Sequence, residues 1–194
     1  MARSKSEDKR NGLVAAATRV IAAQGLGAPT ALIAREASVS NGTLFTYFET
    51  KTDLFNQLFL ELKTDMAVAS LAGRAAEAPL REQFRRLWDN WMGWATASPD
   101  KRRALALLSV SDEITGPTEA AAQQAMAEIG EIVWRARTLG PLRDAPAGFA
   151  EAAMNSLAEA TMDLILSDPA RADEYRQAGF HALCRLLGGP MLDQ

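Results

Sequence analysis

An all-α fold is predicted by three features of the chain. Alanine and leucine dominate it, β-branched residues are sparse, and apolar residues recur at helical spacing without strand-like alternation. Its 194 residues allow one well-buried core, or a small domain joined to a larger one. A single cysteine, Cys184, excludes an internal disulfide and fits a reducing compartment. The Leu13–Ala23 run is broken by Arg19 and preceded by Arg3, Lys5, Glu7, Asp8, Lys9 and Arg10, which suits neither a signal peptide nor a membrane span. A cytoplasmic protein with no membrane partner is expected.

About nine helices follow from the pattern. The first covers about 7–24, with Leu13, Ala17, Val20 and Ile21 on one face, and ends at Gly25 and Gly27. Pro29-Thr30 opens a second through about Ala37, with Leu32, Ile33 and Ala37 inward. Ser40 is a good N-cap for a third, ending near Tyr47. Thr50 caps a fourth, where the Asp53 carboxylate is placed to reach back to the Thr50 amide; this helix runs to about Ala69. Longer helices are expected over about 80–96, 100–110, 118–138, 147–166 and 168–187, separated by Ser98-Pro99, Thr115-Gly116-Pro117, Gly140-Pro141 and Asp168-Pro169, with Gly188-Gly189-Pro190 as the final stop. A domain boundary is expected near residue 50: residues 1–50 form a three-helix domain, and residues 51–194 a larger one, the fourth helix bridging them.

Net charge is −3, yet residues 1–55 hold seven Lys/Arg against five Asp/Glu, and the remainder fourteen against nineteen. The first quarter is therefore the plausible surface for a polyanion. Within it, Ser38-Val39-Ser40 separates the second and third helices by the length a helix-turn-helix requires, with Val39 filling the corner. Leu44 and Phe48, four apart, anchor the third helix. Its other face presents Asn41, Gly42, Thr43, Phe45, Thr46 and Tyr47. Short hydroxyls and amides address base edges or thymine methyls, and Gly42 permits close backbone approach. Lys51, in the first turn of the fourth helix, supplies an amine beside a helix N-terminus, a combination that suits a phosphate. The basic arm, Arg3, Lys5, Lys9 and Arg10, is either a solvated tail or a phosphate and minor-groove contact.

Thr30, Ile33-Ala34, Ala37-Ser38-Val39-Ser40, Gly42-Thr43-Leu44-Phe45, Tyr47-Phe48, Lys51 and Leu54 stand in order and at the right spacing to resemble the N-terminal module of the TetR family of bacterial transcription regulators. The resemblance covers about residues 10–56. It implies that Asn41, Gly42, Thr43 and Thr46 read bases, and that Thr30, Ser40, Phe45, Tyr47 and Lys51 make backbone-positioning or flanking contacts. Two residues depart from the pattern. Ser38 stands where glycine is usual, so a non-glycine residue is expected at positive φ. Phe45 stands where tyrosine is usual, which removes a phosphate-bonding hydroxyl.

Beyond residue 80, Trp88, Trp91 and Trp94 concentrate aromatic area on one helix, with Phe84, Leu87 and Met92. Core packing explains tryptophans of this kind; the family resemblance adds a ligand chamber, for which the candidates are Trp88, Trp91, Met92, Met126, Trp134, Met154, Asn155 and Met162. Asn90 is expected to face solvent, and Lys101-Arg102-Arg103 to form a solvated face. The last two helices carry small and apolar residues at packing spacing: Ala153, Leu157, Ala160 and Leu164 on one, Tyr175, Ala178, Gly179, Ala182, Leu183 and Leu186 on the other. The resemblance makes these a homodimer interface; intramolecular packing is the alternative.

Catalysis is poorly supported. His181 and Cys184, three apart, lack a carboxylate pair, a Gly-rich elbow or a metal-ligand set, so no enzyme activity, cofactor or metal is expected. The expected function is a ligand-responsive homodimeric repressor that leaves a pseudo-palindromic duplex operator when a small hydrophobic effector binds. A helical ligand-binding or assembly protein with a non-functional DNA-binding module is the alternative.

Overall fold

The computed structural model describes residues 5–188. It is all-α, as expected, with ten helices among the described residues: α1 (Lys5–Gln24), α2 (Thr30–Glu36), α3 (Asn41–Tyr47), α4 (Lys51–Leu71), α5 (Leu80–Ala97), α6 (Pro99–Ser109), α7 (Gly116–Ala125), α8 (Ala127–Thr138), α9 (Ala147–Ser167) and α10 (Ala172–Leu183). A short 3₁₀ turn, Pro169–Arg171, precedes α10, and a widened π-type turn, Cys184–Gly188, follows it. Gly189 and Pro190, expected to stop the last helix, lie outside the described residues.

The tenth helix arises because the element expected over 118–138 is two. α7 and α8 meet at Met126, whose φ of −93° and ψ of 0° break the helix without glycine or proline. The break falls where the chain passes from one compact unit to another. The first unit is Met1–Asp65 with Ser98–Ala125; the second is Met66–Ala97 with Met126–Gln194. Ala122 is buried in the first, while Ile129, Ile132 and Ala136 are buried in the second. α4 is one continuous helix that contributes turns to both.

In the first unit α1 packs against α2 and α6, and α2 against α3. Leu13, Ala17 and Ile21 of α1, Ile33 of α2, Leu44 of α3, Leu54 and Leu58 of α4 and Leu108 of α6 are fully buried or nearly so. A polar clasp fixes the α6–α7 loop to α4. The Asn56 amide nitrogen donates to the Thr52 and Glu113 carbonyls, both at 2.8 Å, and its oxygen accepts from the Thr115 amide at 2.9 Å and the Thr115 hydroxyl at 3.2 Å. The Thr52 hydroxyl also donates to the Glu113 carboxylate. Every polar valence of Asn56 is thus used, which is what a side chain set between two elements requires.

The second unit is built on α5, α8, α9 and α10. Phe84, Trp88 and Met92 of α5 are fully buried with Ile132, Ala158, Phe180 and Leu187. Phe84 and Phe180 lie 6.2 Å apart, and the Trp88 indole N–H donates to the Arg176 carbonyl at 2.9 Å, so the buried donor is satisfied. Gly179 makes this packing possible: a Cβ there would stand 2.7 Å from the Trp88 ring and 2.5 Å from the Thr161 hydroxyl. Asn90, expected to face solvent, instead donates to the Ser70 and Ala72 carbonyls at 3.2 and 2.9 Å, and Arg86 donates to the Gly73 carbonyl at 2.6 Å. Together they satisfy carbonyls at the end of α4 that the helix cannot pair internally.

Candidate nucleic-acid interface

The site is built by three local devices. The first ends α2. Val39 donates to the Ala34 carbonyl at 2.9 Å and Ser38 to the Arg35 carbonyl at 3.0 Å, the paired bonds of a Schellman motif. That motif needs a left-handed residue, and Ser38 supplies it with a φ of 56°. The expectation that a serine takes a glycine's conformation is met.

The second device starts α3. Ser40 is extended (φ −74°, ψ 153°), and its hydroxyl oxygen accepts from the Thr43 amide at 3.1 Å. Leu44 and Phe48 are fully buried and fix the helix from behind. Asn41, Gly42, Phe45 and Thr46 are exposed, and Thr43 and Tyr47 half-buried, so the expected polar face is directed away from the core. The third device starts α4. The Thr50 hydroxyl accepts from the Asp53 amide at 3.0 Å, as expected of a cap. The Asp53 carboxylate reaches one residue further back than expected: it accepts from the Glu49 amide at 3.0 Å, not from Thr50. Lys51 is half-buried, its amine 5.3 Å from the centre of the Phe55 ring. Thr30 is half-buried as the first residue of α2.

The N-terminal arm needs correction. Arg10 turns inward: it bonds Gln57 at 2.8 Å, pairs with Glu61 and lies 5.6 Å from the centre of the Phe48 ring. It braces α1 against α4 and the end of α3, where sequence reasoning had grouped it with possible DNA contacts. Lys9 is exposed, and Arg3 lies outside the described residues. Sequence reasoning also missed Ser6, whose hydroxyl donates to the Tyr47 hydroxyl oxygen at 3.4 Å, linking α1 to α3. Lys101, expected to be solvated, pairs with Asp65 at 2.8 Å.

The ligand candidates divide. Trp88, Met92 and Met162 are buried in the core of the second unit, and Trp91 stands edge-on to Trp88 with ring centroids 6.2 Å apart. Met126 and Met154 are partly buried against the same core. Trp134 is 56% exposed and Asn155 is exposed, so neither joins that interior group. The dimer candidates divide too. Ala160, Leu164, Ala178 and Ala182 are exposed, and Ala153, Leu157, Tyr175 and Leu186 half-buried. Gly179 and Leu183 are buried within the unit, against Trp88 and its neighbours, and offer no surface to a second copy. Cys184 is buried and His181 half-buried.

An outward polar helix, set by a left-handed turn and two side-chain caps and anchored by Leu44 and Phe48, defines a helix-turn-helix protein. Residues 13–58 match the model of the bacterial regulatory proteins of the tetR family. Over those residues, which hold the three devices described above, the chain is similar to that family. It is 33% identical over 90 residues to an uncharacterized HTH-type transcriptional regulator of Haemophilus influenzae, a match that covers 45% of this chain and about half (48%) of that protein. A solved structure from Shewanella sp. PV-4, assigned to the tetR family of transcription regulators, superposes with a TM-score of 0.78 at 28% identity, covering 90% of this chain and 95% of that one. A TetR-like regulator from Mycobacterium smegmatis in complex with proflavine shares the fold, with a TM-score of 0.65 at 20% identity over 90% of this chain and 94% of that one. No helix among the described residues is long and apolar enough to cross a membrane.

Proposed function

We propose that the protein is a cytoplasmic, homodimeric, ligand-responsive repressor of transcription that binds a pseudo-palindromic duplex operator. One observation carries the reading: the exposed face of α3, Asn41, Gly42, Phe45 and Thr46, is held rigidly from behind by buried Leu44 and Phe48. In this reading Asn41, Gly42, Thr43 and Thr46 meet base edges, while Thr30, Ser40, Phe45, Tyr47 and Lys51 position the helix on the backbone. Residues 1–50 carry DNA reading, and residues 51–194 carry ligand binding and dimerisation.

Two α3 helices per dimer would enter successive major grooves about 34–36 Å apart. Exposed Ala160, Leu164, Ala178 and Ala182 on α9 and α10 support a four-helix interface between two copies, since Leu164 is 47% exposed in one copy alone. The group around Trp88, Trp91 and Met92 supports an apolar effector in the second unit. Effector binding would alter the separation of the two reading helices through α4, by a coupling of about 1–3 kcal/mol, or about 5–150-fold in operator affinity.

The test is a gel-shift titration of the protein on the DNA upstream of its own gene, over a range of salt. Sequence-selective retardation that weakens steeply with salt is expected. Absence of selective retardation at low salt would remove the reading.

A further inference from the structure

Resting on that DNA-binding reading, we propose that the base pairs beneath α3 in each half-site are predominantly A·T, recognised through thymine methyl groups and one adenine–amide pair, not through guanine. α3 carries no charged side chain. Guanine offers two acceptors, O6 and N7, to the major groove, and its usual reader is arginine or lysine. α3 has neither, and the nearby guanidinium of Arg10 is held by Gln57 and Glu61 while that of Arg19 is paired with Glu36 at 2.9 Å.

The threonine hydroxyls of α3 are poor substitutes, because they are engaged inside the protein. Thr46 donates its hydroxyl proton to the Gly42 carbonyl at 3.2 Å. The Thr43 and Ser40 hydroxyls lie 2.9 Å apart, one donating to the other. What remains exposed for base edges is Thr46, whose free group is a methyl, and the Asn41 amide. A methyl surface complements the thymine C5-methyl, and an amide matches the donor–acceptor edge of adenine N6 and N7. Gly42 agrees with this. A Cβ there would meet only the Ser40 hydroxyl, at 3.8 Å, an ordinary contact, so the protein's own packing does not require glycine. A better helix former is declined at a place where a methyl group from outside would press on the backbone.

The experiment selects a half-site from a randomised duplex pool with the full-length protein, then substitutes it base by base. Replacing thymine by uracil beneath α3 removes one methyl and is expected to weaken binding about fourfold per contacted position. Replacing guanine by 7-deazaguanine in the same stretch is expected to change it less than about twofold, because no N7 contact is lost. Thr46→Ser, which keeps the bond to Gly42, should abolish the uracil effect at one position only. A selected site that is guanine-dependent and indifferent to uracil overturns this inference and leaves DNA binding intact; failure to select any site overturns both.

Discussion

α3 and α5 place their side chains by opposite rules. Of the seven residues of α3 only Leu44 is buried, and the helix is fixed by the Ser38–Ser40 turn before it and by Leu44 and Phe48 behind it. α5 buries Gln83, Phe84, Leu87, Trp88, Met92 and Ala95, and is fixed along its length by what surrounds it. A helix held by one turn and two anchors can leave a whole face for a partner. A helix held by its sides derives its stability from apolar area removed from water, and changes there reach the whole unit. The contrast separates residues that matter for binding from residues that matter for folding.

Trp88→Ala should show the largest effect. It removes a fully buried indole and its bond to Arg176, at a cost of about 3–5 kcal/mol by denaturant unfolding. A loss below about 1 kcal/mol would mean that α5 is not held as described. The converse change is Thr43→Ala with Lys51→Ala, on residues that are only half-buried. Operator affinity should fall roughly 10–100-fold, about the loss of one base contact and one phosphate contact, with sedimentation and unfolding midpoint unchanged. Unchanged affinity would instead place the DNA contact away from α3 and the start of α4, and no operator binding by the parent would favour a helical binding or assembly protein whose reading module is inactive.

Ser38→Gly tests how α2 is ended. Relief of the left-handed strain, about 1–2 kcal/mol, is partly offset by glycine's greater chain entropy, leaving a net gain of about 0.5–1 kcal/mol. A loss of stability would show that the serine side chain itself supports the turn. The smallest effect concerns Lys63, half-buried beside the Phe59 ring, whose ammonium pKa burial holds below the ordinary lysine value of 10.5. Protons are then bound less tightly in the folded state, so stability rises with pH as the folded pKa is passed and levels off above 10.5. Lys63→Met should therefore be more stable than the parent at neutral pH, with an advantage that shrinks through the alkaline range in thermal unfolding scans. An advantage that grows with pH would reverse the sign argued for this group.

Much of the first unit was legible in the chain because its signals are local. A hydroxyl before a helix, a carboxylate three residues on, and two apolar residues four apart each act within one or two turns, and Ser40, Thr50, Leu44 and Phe48 behave accordingly. What was not legible depends on residues distant in sequence. Arg10 finds Glu61 across 51 positions, and Asn56 finds Thr115 across 59. The break at Met126 has no glycine or proline to announce it, since it comes from a change of packing partner. Trp88 and Trp134 are the same residue type on amphipathic helices, yet one is fully buried and the other 56% exposed. Gly179 reads as a small interface residue until Trp88 is seen against it.

The clasp at Asn56 bears on how the molecule is made. Because the loop it grips is translated some sixty residues later, the ribosome releases the reading helices long before their last brace exists. A chimera that grafts this N-terminal module onto another regulator's body should therefore carry residues 98–125 with it, or rebuild their grip on α4 from the recipient's own sequence.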